Sequence, residues 1–99
     1  MADRYVVVTR ARGPAWDDTL TRRQQAGWAE HAGFMDDLTA RGIVVLGGPL
    51  GEGDGHDALL VLDVPDEAAA HAVLAPDPWE GRLLTTSRVE PWAVLLRRP

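Results

Sequence analysis

The sequence predicts an α+β domain of element order β-α-β-β-α-β, a four-stranded antiparallel sheet carrying two helices on one face. Three observations predict it. A chain of 99 residues is the size of a single domain with a thin core. Four β-like runs alternate with two stretches of helical periodicity in that order. No repeat, low-complexity tract or linker interrupts them.

Residues 4–10, RYVVVTR, are β-branched and aromatic and end in Arg-Gly-Pro punctuation, so they read as the first strand. From Thr21 to Arg41 the pattern is helical. Thr21 and Gln24 have the spacing of a capping box, and Gly42 is placed to terminate the helix. Ile43 to Leu46 make a short second strand, followed by a loop with five glycines and a proline. Residues 58–64, ALLVLDV, make a third strand. The stretch PDEAAAHAVLA opens with Pro65 and acidic residues and continues in strong helix formers, which predicts the second helix before the prolines of APDPWEG. The last strand runs from about Leu83 to Arg97, with a bend expected where Pro91 removes a donor. This is the split βαβ arrangement of ferredoxin-like folds.

Tyr5 and Val7 point one way in the first strand while Val6 and Val8 point the other, and Leu59, Val61 against Leu60, Leu62 repeat this in the third. Both faces need cover, and two helices can cover only one. The expectation is a homodimer packed through its sheet faces; the alternative is a monomer whose open face is shielded by the tail and the glycine loop.

Apolar residues at 45% and charged residues at 25% match an ordinary globular protein, and no apolar run approaches the roughly 18 residues of a membrane span. The opening MADRYVVVTR lacks the layout of a signal peptide, so a cytoplasmic location is the expectation. The absence of cysteine excludes disulfides and thiolate chemistry. A formal charge of −5, with ten arginines spread along the chain, argues against nucleic acid as a partner.

Trp28, His31, Met35 and Leu38 follow one another at helical spacing with Phe34 alongside, while Glu30, Asp36, Asp37 and Arg41 take the other sides. A histidine on an apolar stripe is either a core residue satisfied by a main-chain carbonyl or a candidate general acid or base. Spacing alone leaves both open. His56, flanked by Asp54 and Asp57 in a glycine-rich loop, is a poor metal candidate, and His71 falls on a helix surface, so no metal site is expected. Asp77 lies in Pro-Asp-Pro, the most rigid backbone of the chain, where it either caps a turn beginning at Pro78 or presents a well-aimed carboxylate. Gly47 and Gly48 would let backbone approach a ligand closely, although a Gly-Gly-Pro run is more often simply a turn. No P-loop, dinucleotide fingerprint or nucleophile elbow is present, and no bound organic cofactor is expected.

The histidine of the first helix, ARGIVVLGGPL, DPW and the aromatic-containing last strand, in that order, resemble the YCII-related family of the dimeric α+β barrel superfamily. The resemblance implies a recurring histidine at His31, an aspartate at Asp77 and a Gly-Pro at Gly48 and Pro49, and it implies sheet-to-sheet dimers. With it, the sequence points to a cofactor-independent enzyme in which His31 transfers a proton and Asp77 orients the imidazole. Trp28, Phe34, Met35 and Trp79 are expected to wall a cavity for a small, partly apolar or aromatic molecule, and lyase, isomerase or elimination chemistry fits better than hydrolysis. The alternative is a non-catalytic small-ligand-binding or regulatory module of the same fold.

Overall fold

A computed structural model of the chain describes residues 3–52 and 57–99; His56 and Asp54 lie outside them. The strands are β1 (Asp3–Arg12), β2 (Val44–Pro49), β3 (Ala58–Leu62) and β4 (Leu84–Val94), and the helices α1 (Trp28–Ala40) and α2 (Glu67–Leu74). They form one antiparallel sheet in the order β2-β3-β1-β4 with two helices, a ferredoxin-like βαββαβ arrangement.

Strand alternation places Val6 and Val8 of β1, Leu60 and Leu62 of β3 and Val44 of β2 in one core, where Leu38 of α1 and Ala70 and Leu74 of α2 meet them. Asp66 caps α2 by accepting from the Ala69 amide at 2.8 Å. A second, smaller cluster of Trp79, Leu83 and Leu84, with Trp16 and Trp28 beside it, closes the end of the domain that carries the polar residues described below.

Three expectations need correction. The helix expected over Thr21–Arg41 is two pieces, a 3-10 turn at Arg22–Gln24 and α1 beginning at Trp28. Gln24 Oε1 accepts from the Thr21 amide at 2.9 Å, so the capping signal serves the short turn. The break is made by Gly27, at φ 76°, and by Gln25, whose buried side chain ties down the backbone of Asp17 and Leu20. Periodicity reports side-chain spacing and is blind to a left-handed backbone at one glycine.

Gly47, Gly48 and Pro49, expected in a loop, continue β2. Val45 is an extra residue between the pairs Val44–Leu62 and Leu46–Val61, and this bulge turns Leu46 to the open face and Gly47 to the helix side. A Cβ on Gly47 would stand 2.6 Å from Leu60 Cδ2 and 2.9 Å from the Leu59 carbonyl oxygen, so only glycine fits. An edge strand accepts Pro49 where an inner one would not.

In β4 the irregularity falls at Ser87 and not at Pro91, since Thr9 pairs with Arg88 and Arg10 with Thr86 while Pro91 stays in register opposite Val6. The extra residue sets Thr86 opposite Arg10. Val94 is the last strand residue, and Leu95 and Leu96 follow it into solvent.

Candidate functional site

α1, β1 and the turn after α2 bring three polar side chains together where burial would otherwise forbid them. His31 is 7% exposed, Asp77 3% and Arg10 1%. Asp77 is aimed by its own turn. Its amide donates to the Leu74 carbonyl at 3.0 Å, its Oδ1 accepts from the Trp79 amide at 3.0 Å, and its carbonyl accepts from the Glu80 amide at 3.0 Å. With proline on either side the carboxylate has little freedom left.

That carboxylate lies 2.9 Å (Oδ1) and 3.0 Å (Oδ2) from His31 Nδ1, and Arg10 Nη1 donates to Oδ2 at 2.8 Å. Arg10 Nη2 donates to Glu80 Oε2 at 2.6 Å. Burial pushes the Asp77 pKa up; hydrogen bonds from His31, the Trp79 amide and Arg10, together with the Arg10 charge, outweigh it and hold the carboxyl below the ordinary carboxylate range. An ionised Asp77 can only accept, so the nitrogen facing it carries the proton. The other ring nitrogen, Nε2, is left for whatever occupies the adjoining space.

The imidazole plane is fixed as well. Trp79, 1% exposed, stacks on it at 4.1 Å between centroids and 5° between planes, and Trp28 meets it tilted at 5.9 Å. Trp79 is held by its Nε1–H donating to the Ala26 carbonyl at 2.8 Å and by the edge of Trp16 at 6.0 Å. The carbonyl of Ala26 is available because the helix is interrupted at Gly27. The helix break therefore serves the site.

Beside His31 opens a cavity of about 250 Å³, lined by Trp28, His31 and Met35 of α1, Arg10 of β1, Gly47, Gly48 and Pro49 of β2, Leu60 of β3 and Leu84 of β4, with Arg22, Asp36, Thr39 and Ala58 around them. That volume is just below the usual range of small-molecule sites. Its wall is mostly apolar, and Arg10, Arg22, His31, Asp36 and Thr39 are its polar members.

Of the residues singled out in the sequence, His31, Trp28, Met35, Gly48 and Pro49 line this cavity, and Asp77 stands behind His31. Two are placed elsewhere. Phe34 packs against the main hydrophobic core, and Trp79 backs the imidazole without lining the cavity. Phe34, one turn before Leu38, lies on the core side of the stripe, and the Asp77–Glu80 turn tucks Trp79 behind the ring. His71 is exposed on α2. Arg10 and Glu80 were missed. Arg10 follows Val6 and Val8 in the inward alternation of β1, so a buried cation was readable there; Glu80 has no comparable signal, because only the tertiary turn brings it to Arg10.

Architecture and site together define a small ferredoxin-like α+β domain with a buried histidine–carboxylate pair at the boundary of helix and sheet. The family model for the YCII-related domain matches residues 4–93, a span that includes Arg10, His31, Asp77 and Glu80, and the chain belongs to that family. No curated protein and no solved structure matches it significantly.

Proposed function

We propose that the protein is a cofactor-independent enzyme that moves a proton on a small, partly apolar or aromatic substrate, by isomerisation, lyase or elimination chemistry. The observation that carries this is one buried imidazole with Nδ1 held by a carboxylate at 2.9 Å and its ring facing a 250 Å³ cavity. In the proposed step a substrate C–H bond breaks, its proton passes to His31 Nε2, and its electron pair stays on the substrate, delocalised onto an adjacent carbonyl or phenolic oxygen. Asp77 and the face of Trp79 offset the charge that develops on the ring. Gly47 and Gly48, with no side chains of their own, allow close approach of backbone to the substrate. A base placed this way contributes about a hundredfold to ten-thousandfold.

The test is a screen of small aromatic carbonyl and hydroxyl compounds in D2O by NMR, with wild type and His31→Asn. Deuterium entering an acidic C–H position with wild type and not with the variant supports the proposal. Ligands that bind without exchange in either protein overturn it in favour of a binding module.

We also propose that two copies pack sheet to sheet. The support is the open face, where Leu46 is 63% and Trp92 46% exposed and Tyr5, Val7 and Leu59 are half-buried, while the helices cover the other face.

A further inference from the structure

We propose that Arg10 is a positioning residue of this site: braced from the far side by Glu80, it holds the Asp77 carboxylate on His31 Nδ1 and so selects Nε2 as the nitrogen presented to a ligand. The residue occupies the third inward position of β1, after Val6 and Val8, where the alternation calls for an apolar side chain. A cation at a site 1% exposed is retained against a large desolvation penalty. Its surroundings account for the retention in a specific way.

The guanidinium spans two carboxylates with two different nitrogens, 2.8 Å to Asp77 and 2.6 Å to Glu80, while Met35 Sδ lies 3.9 Å from Nη1 and Nε has no hydrogen-bond partner among the described residues. Two anchors on a planar fork fix its orientation; a lysine, with one nitrogen, could not reach both in that geometry. Glu80 is itself held by the Thr86 amide at 3.4 Å, and Thr86 stands opposite Arg10 because of the Ser87 bulge. A chain of alternating charge, Glu80, Arg10, Asp77 and then the imidazole, thus runs from a partly exposed carboxylate to the cavity.

Without Arg10, Asp77 would keep only the Trp79 amide and the imidazole as donors, and Oδ2 would lose the guanidinium that holds it. The low carboxyl pKa follows in part from Arg10, and a carboxyl that stays ionised cannot donate to the ring. The consequence for catalysis rests on the reading of His31 as the proton-transferring group, but the positioning itself does not depend on turnover.

The test is NMR of the ligand-free protein, reading the His31 tautomer from ring nitrogen shifts at a pH where the ring is neutral, and the Asp77 carboxyl carbon through an acid titration. Wild type is expected to show one tautomer, protonated at Nδ1. Arg10→Gln is expected to give a mixture with Nε2–H and to move the Asp77 midpoint up; Glu80→Gln should do the same to a smaller extent. Purely structural damage would lower stability without moving either signal. If Arg10→Gln does not fold, Glu80→Gln decides, since Glu80 is partly exposed. Folded variants with an unchanged tautomer and an unchanged midpoint overturn the proposal. A wild type that positions its imidazole this way yet exchanges no substrate proton would leave Arg10's role intact and sink only the enzymatic reading.

Discussion

Replacing Asp77 with asparagine keeps the shape of the side chain and removes its charge. Three donors converge on the carboxylate: His31 Nδ1, Arg10 Nη1 and the Trp79 amide. An amide has one oxygen to offer them and must turn its NH2 toward another nitrogen. Arg10 then keeps only Glu80 as a counter-charge at a fully buried position. Breaking a buried pair by changing one partner costs about 3–5 kcal/mol, and because Glu80 remains we place Asp77→Asn at the lower end, about 3 kcal/mol. Domains of this size have roughly 5–15 kcal/mol in total. At about 4–8 °C per kcal/mol the melting temperature should fall by about 12–24 °C. Urea unfolding followed by tryptophan emission, at one fixed protein concentration for both proteins, measures the loss directly. A loss under about 1 kcal/mol, the scale of a solvent-exposed pair, would mean that the members of this network do not depend on one another.

Other perturbations test other links. Gly47→Ala drives a methyl group into Leu60 and the Leu59 carbonyl, and should cost about 1–3 kcal/mol in urea while reducing ligand uptake by the cavity. The lowered pKa of Asp77 fixes the sign of a pH effect. Its contribution to stability is complete above the unfolded carboxyl value near 3.8 and is lost as pH falls through the lower folded value. The stability gap between wild type and Asp77→Asn should therefore narrow only below about pH 4, checked by urea midpoints from pH 6 down to pH 2; a gap that narrows on going alkaline would contradict the assignment. Leu46→Glu and Trp92→Glu, each on the open sheet face, should halve the mass seen by light scattering with the helical signal of the fold retained.

The order of elements was legible because each depends on local chemistry: alternation in VVV and LLVL, helix formers after Pro65, an acidic cap at Asp66. Boundaries failed where one residue's backbone decides. Gly27 splits a periodic stretch that side-chain spacing joins, and the Val45 bulge keeps Gly47 and Gly48 in the sheet although their composition suggests a turn. His31 stood out as a polar residue on an apolar stripe, and Asp77 through its two prolines. Their meeting across 46 positions of sequence is a tertiary fact that neither segment contains. As aromatic residues Phe34 and Trp79 suggest cavity walls, whereas one belongs to the core and the other is the plate against which the imidazole is stacked. Arg10 ends the β-like run 4–10, and the alternation of β1 points it inward after Val6 and Val8.

Ring nitrogen NMR of His31 in the unmodified protein reads both nitrogens of the imidazole, the one that faces Asp77 and the one left for a ligand. A proton on Nδ1, with an Nε2 signal that moves when a small aromatic compound enters the cavity, is the predicted result. A proton on Nε2, or an Nε2 signal indifferent to every compound shown to occupy the cavity, would contradict it.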